Sequence, residues 1–96
     1  MLHVLPTVSI VIPAYNEEDT IKACVLAALD QTVPASEIIV VDNKSTDGTA
    51  SIVRALQTAY PDAPLIYFQQ NETQGLIPTR NFGLDRAQGE VVGRID

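Results

Sequence analysis

Four short apolar runs, three of them followed by a stretch with helical spacing, constrain the fold of this chain more than any other feature. The first, Val8-Ser9-Ile10-Val11-Ile12, is nearly continuous and rich in β-branched residues, as expected of a strand buried on both faces. Glu37-Ile38-Ile39-Val40-Val41, Leu65-Ile66-Tyr67-Phe68 and Glu90 to Ile95 supply three more strands. Strands alternating with helices of this length predict an α/β fold, a parallel sheet with right-handed crossovers. The commonest arrangement is Rossmann-like, with strand order 3-2-1-4 and flanking helices.

Local signals set the expected boundaries. Pro13 ends the first strand. Asn16 reads as a helix N-cap, with Glu17, Glu18 and Asp19 in the first turn, where the helix dipole favours negative charge. Ile21, Cys24, Val25, Ala28 and Leu29 follow at helical spacing, and Thr32-Val33-Pro34 breaks that helix. Asp42 to Gly48 is a polar loop. Ile52, Val53, Leu56 and Ala59 or Tyr60 mark a second helix, stopped by Pro61-Asp62-Ala63-Pro64. Asn71 to Gly75 is another loop. Pro78 suits the first turn of a third helix, where its missing N–H costs little. That helix is expected to run to about Gln88, with Gly89 as its C-cap.

Ninety-six residues make one small domain, spanning 1–96. A net charge of −6 argues against a nucleic-acid partner, which needs clustered Lys and Arg. It leaves a nucleotide open, because backbone N–H groups and a divalent metal can hold a diphosphate. Cys24 is the only cysteine, so no disulfide framework exists and an inert, packed thiol is expected. The start, Met-Leu-His-Val-Leu-Pro, lacks the features of a signal peptide. No stretch approaches the ~20 apolar residues of a membrane span, so a cytoplasmic location is expected, with a parent protein that can still be membrane-associated.

In a sheet of this order the topological switch point falls between the first and fourth strands, and ligands bind beyond the carboxyl ends there. Those ends carry Ala14-Tyr15-Asn16-Glu17, Asp42-Asn43 and Asp96. No G-x-G-x-x-G or G-x-x-x-x-G-K-[ST] is present, which counts against dinucleotide and P-loop sites. With one histidine, His3, a histidine base or multi-histidine zinc site is not expected.

Three ordered motifs carry a more specific signal. Residues 8–18, Val-Ser-Ile-Val-Ile-Pro-Ala-Tyr-Asn-Glu-Glu, resemble the opening of family 2 inverting glycosyltransferases. Residues 40–49, Val-Val-Asp-Asn-Lys-Ser-Thr-Asp-Gly-Thr, resemble their second-strand motif. Asn71 to Gly75, Thr79-Arg-Asn-Phe-Gly83, Ala87-Gln-Gly89 and the last strand ending in Asp96 resemble the third block. The resemblance covers residues 8–96. It implies a GT-A fold and a parent that transfers a sugar from a nucleotide diphosphate sugar, most simply a UDP-sugar, to a hydroxyl acceptor with inversion. It also implies Mn²⁺ or Mg²⁺, with Asp96 as the first aspartate of a D-x-D motif that holds the ribose and the metal. The second metal ligand and the acceptor-side base are then expected outside this chain, which reads as a truncated nucleotide-binding part, with no catalytic residue and no activity alone.

The nucleotide-binding residues expected on this basis are Pro13, Tyr15, Glu17, Asp42, Asn43, Arg80 and Asp96. Tyr15, after a strand end, can stack on a base. Asn16 and Glu17 suit helix capping, although Glu17 can reach the ligand edge. Asp42 and Asn43 have the hydrogen-bonding groups to read a uracil edge. The resembling family usually has Asp-Asp here, so Asn43 leaves the base open. Ser45 and Asp47 are assigned to loop structure and Lys44 to solvent. Arg80 needs a partner, for which Asp42 or the ligand is available. Gly83 is expected to bring its helix close to the sheet. Two other readings are weighed. One is a non-catalytic nucleotide-binding or regulatory module. The other is a sugar-nucleotidyltransferase, whose basic glycine-rich loop would replace the acidic stretch after the first strand. Finally, residues 90–96 form an edge through which the chain is expected to self-associate.

Overall fold

A computed structural model describes residues 7–30, 35–89 and 91–94. The order is β1 (Val8–Ala14), α1 (Ile21–Leu29), β2 (Glu37–Asp42), α2 (Thr49–Ala59), β3 (Leu65–Gln69), α3 (Leu76–Arg86) and β4 (Val91–Arg94). The four strands form one sheet in the order β3-β2-β1-β4, and every neighbouring pair is parallel. The expected α/β architecture and strand order are both present. The expected break at Thr32-Val33-Pro34 and the ends of the fourth strand, Glu90, Ile95 and Asp96, lie outside the described residues.

Alternation along the strands assigns the two faces. Ile10, Ile12 and Ala14 of β1 and Ile38 and Val40 of β2 pack with Ile21, Val25 and Ala28 of α1 and Val53 and Leu56 of α2. Cys24 packs against this cluster, and its thiol is pushed above the ordinary value by burial and by the charge of Glu17. Val11 and Val41 point to the other face, against α3. A Cβ built on Gly83 of that helix would run into Val11 Cγ1 and lie 3.0 Å from Val41 Cγ2, so only glycine allows this spacing. Farther out, Phe68 of β3 meets Phe82 of α3 edge to face at 5.9 Å, and the Arg86 guanidinium lies 3.3 Å from the Phe82 ring centre.

Three boundaries differ from expectation, each for a physical reason. Pro13 does not end β1; it pairs with Val41, and the strand continues to Ala14. The Ala14 carbonyl accepts from the Asn43 N–H at 2.9 Å. Alternation therefore turns the backbone of Pro13 away from β2, where its lack of an N–H breaks no bond to that strand. Asn16 is not the cap of α1. The helix starts at Ile21 after Thr20, and Asn16 has a left-handed backbone with φ of 51°. Gly89 is not the cap of α3, which ends at Arg86 with an extended Ala87. The glycine instead lets the chain run tight against β1. Its N–H donates to Ser9 Oγ at 2.7 Å, and a Cβ there would lie 2.6 Å from the same oxygen.

Candidate functional site

The carboxyl ends of β1 and β2 feed two loops that clasp each other by side-chain-to-backbone bonds. The N–H of Asn16 donates to Ser45 Oγ at 2.9 Å, that of Glu17 to Thr49 Oγ1 at 2.9 Å, and that of Glu18 to Asp47 Oδ2 at 3.2 Å. In return, Asn16 Oδ1 accepts from the Thr46 N–H at 2.8 Å and Glu18 Oε2 from the Gly48 N–H at 2.8 Å. Asn16 and Glu18 therefore serve the neighbouring loop and the start of α2 rather than α1. Desolvation pushes the Asp47 carboxyl up, but bonds from the Thr49 hydroxyl, the Thr49 N–H and the Glu18 N–H together hold it below its ordinary value. The assignment of Ser45 and Asp47 to loop structure agrees with these bonds.

Asp42 and Asn43 are adjacent and buried, at 1% and 2% exposure, and they serve opposite faces of the sheet. Asp42 points toward the α1 and α2 layer. Its Oδ1 accepts from the Ser45 N–H at 3.0 Å and its Oδ2 from the Tyr67 hydroxyl at 2.6 Å. Burial, and then the bond to Asp42, push the Tyr67 hydroxyl up to about 12, and the Arg54 guanidinium lies 5.3 Å from that ring's centre. Among the described residues, Arg80 is not a partner of Asp42. Arg80 is on α3, which packs on the opposite face, so the sheet separates the two.

Asn43 holds the loop before α3. Its Nδ2 donates to the carbonyls of Gln70 and Thr73 at 2.8 and 3.3 Å, and its Oδ1 accepts from the Gly75 N–H at 2.9 Å. Gly75 needs its freedom, having φ of 126° at the helix entry. Gln70 and Thr79, at 4% and 2% exposure, complete the network. Thr79 entered the sequence reading only within the Thr79–Gly83 motif and Gln70 not at all; for Gln70, a polar residue directly after a strand was the available signal.

Between the clasp and this loop lies a cavity of about 500 Å³. Pro13, Ala14, Tyr15 and Glu17 line one side, Asn43 the floor, and Gln74, Gly75, Leu76 and Thr79 the other. Four of the seven expected residues, Pro13, Tyr15, Glu17 and Asn43, thus share one cavity. Tyr15 and Leu76 are 51% and 53% exposed, so two apolar side chains stand open at its rim. Asp42 and Arg80 are not lining residues, and Asp96 lies outside the described residues. A larger hollow of about 680 Å³, lined by Leu26, Leu29, Asp30 and residues 59–63, sits at the other end of α1 and α2. Helix carbonyl ends and carboxylates gather there, which disfavours an anionic ligand.

Among the described residues, no three His, Cys, Asp or Glu side chains stand close enough to hold a metal ion. No helix among them is long and apolar enough to cross a membrane.

Comparison with known proteins gives this geometry a family. The chain is similar to the glycosyltransferase AglE of Haloferax volcanii, at 40% identity over all of this chain and 32% of that protein. It is also 38% identical to the putative teichuronic acid biosynthesis glycosyltransferase TuaG of Bacillus subtilis, over 95% of this chain and 35% of that protein. The chain thus spans about a third of the length of these curated relatives. Among solved structures, it is similar to the mannosyltransferase PcManGT of Pyrobaculum calidifontis in complex with GDP-Man and Mn²⁺ (TM-score 0.83, 36% identity, 91% of this chain, 26% of that one). TarS of S. aureus in complex with UDP-GlcNAc gives a TM-score of 0.79 at 34% identity, over 94% of this chain and 26% of that one. The family model for glycosyl transferase family 2 matches residues 9–96, and the chain belongs to that family.

Proposed function

We propose that this chain is the nucleotide-binding part of a glycosyltransferase that moves a sugar from a nucleotide diphosphate sugar, a UDP-sugar first, to a hydroxyl acceptor with inversion. The observation that carries the reading is the cavity at the carboxyl ends of β1 and β2, where Tyr15 stands exposed opposite Leu76. A planar base can stack on such an exposed ring, and a stacked base contributes roughly 1–3 kcal/mol in nucleic-acid systems. Pro13 and Glu17 shape the near wall and Asn43 the floor. Asp42 acts from beneath, by fixing Ser45 and through it the loop that carries Tyr15. Arg80, which does not line the cavity, is kept as a proposed contact to the base or phosphate. Asp96 is proposed as a ligand of Mn²⁺ or Mg²⁺; the manganese in the Pyrobaculum complex supports a divalent ion, which would neutralise the diphosphate leaving group.

The chain alone is proposed to lack transfer activity and to pair with itself through residues 90–96. A cytoplasmic location is proposed for it. Titration with UDP and with GDP, followed by amide NMR, tests the site. Binding is expected at about millimolar strength, because one stacked base hardly offsets the cost of association. Shifts should concentrate at residues 13–17, 43 and 74–76. Shifts concentrated at residues 59–63 would sink the assignment. Sugar transfer to an acceptor by the purified chain would overturn the claim of inactivity, and a monomer at high concentration in sedimentation would remove the self-association.

A further inference from the structure

The far wall of the cavity, Gln74-Gly75-Leu76, belongs to a loop whose shape is dictated by a side chain that does not line the cavity. Gln70 is buried just past the end of β3. Its Oε1 accepts from the N–H groups of Glu72 and Thr73 at 2.7 and 2.8 Å. Its Nε2 donates to the Thr73 carbonyl at 2.5 Å and to Thr79 Oγ1 at 3.4 Å. The Thr79 hydroxyl in turn donates to the Gly75 carbonyl at 2.6 Å. One side chain therefore accepts twice and donates twice, folding the loop back on itself and tying it to the first turn of α3.

Only a primary amide of this length meets that demand. A carboxylate offers no donor, asparagine is a methylene short, and methionine fills the space with neither function. Asn43 makes comparable bonds, but it also lines the cavity, so its loss would mix contact with position. Gln70 acts only through the groups it holds.

We propose that Gln70 is a positioning residue for nucleotide binding, fixing the distance of the Gly75–Leu76 wall from Tyr15. This rests on the nucleotide-binding reading of the cavity. A wall held in place before the ligand arrives spares the ordering cost that would otherwise reduce affinity.

The test compares the wild-type chain with Gln70→Met and Gln70→Glu. Amide spectra without nucleotide are expected to show displaced resonances at residues 71–77 and 43 in both variants, with β1 and the body of β2 unchanged. With UDP, Gln70→Met should bind about tenfold more weakly at every pH, as expected when buried groups lose their partners. Gln70→Glu should bind as weakly as Gln70→Met at about pH 8 but recover toward wild type near about pH 5.5, because a buried carboxyl protonates early and regains a donor. Should Gln70→Met not fold, Gln70→Glu carries the test, starting folded at the lower pH and being raised stepwise. A merely structural role would lower the unfolding midpoint yet leave the affinity of the folded chain at the wild-type value. That outcome, equal affinity in folded wild type and variants, overturns the inference and leaves the functional reading intact. Wild-type chain that binds neither UDP nor GDP overturns the functional reading, and the inference with it.

Discussion

The two walls of the cavity are built by opposite means. The near wall, carrying Tyr15 and Glu17, is held by a clasp in which buried Thr49 is joined by exposed or half-exposed side chains, two of them carboxylates, Glu18 and Asp47. The far wall, at Gln74 to Leu76, is held by neutral amides and a hydroxyl, Asn43, Gln70 and Thr79, all buried. Water competes for most bonds of the clasp, the one to buried Thr49 excepted, and reaches the amide network only from its loop side. The clasp should therefore be individually weak, replaceable and sensitive to pH. The amide network should be strong, intolerant of change and indifferent to pH in the native chain.

The largest effect expected from this contrast is at Asn43. Replacing it with leucine strands the Gln70 carbonyl in a buried site, frees the Gly75 N–H and takes one of two donors from the Thr73 carbonyl, at a cost of about 3 kcal/mol. In a domain this small, that is a large part of the total. Urea unfolding of Asn43→Leu measures it, and a change no larger than that of a clasp substitution would break the contrast. Next comes Tyr15→Ala in the clasped wall, expected to do the reverse. The unfolding midpoint should hold, because the ring is already half exposed, while UDP affinity falls about tenfold. Calorimetric melting beside an NMR titration reads both.

Tyr67→Phe is smaller. It removes the donor at 2.6 Å from buried Asp42 and, with the ring partly open to solvent, should cost about 1 kcal/mol. Because the folded hydroxyl is pushed up to about 12, its contribution is complete below the ordinary tyrosine range and is lost as pH rises through that value. The difference between wild type and Tyr67→Phe should therefore close only in strong alkali. Smallest is Asp47→Ala. Its carboxyl is held below the ordinary value, so its contribution is present at neutral pH and fades as pH falls through the folded value. Unfolding midpoints of the two chains should converge in acid, and a gap that persists there would break the assignment of pH sensitivity to the clasp.

The alternation of strands and helices was fully legible in the sequence, since period and length act locally and the parallel order follows from short crossovers. So was the gathering of Pro13, Tyr15, Glu17 and Asn43, because strand ends define that edge. What escaped was partner choice. Asn16 has the chemistry of a cap, yet the same short side chain tolerates a left-handed backbone and reaches the adjacent loop. Arg80 and Asp42 looked complementary in charge, but strand parity turns Asp42 away from α3. Gln70 carries no local pattern at all; its role exists only once β3 and α3 enclose it. Gly89 reads as a cap by position, and only the approach of Ser9 shows the tighter demand.

Gly83 gives α3 the character of a lever. Its fulcrum is the contact with Val11 and Val41, and its long arm ends two turns away at Leu76 on the cavity rim. A single methyl added at the fulcrum would tilt the arm without touching any ligand. Removing the Val11 branches would relieve the tighter of the two contacts, leaving Val41 Cγ2 at 3.0 Å to give way. The two positions therefore form one unit of inheritance: a side chain gained at Gly83 is tolerated when Val11 shrinks, and the pair should depart from additivity in both stability and affinity.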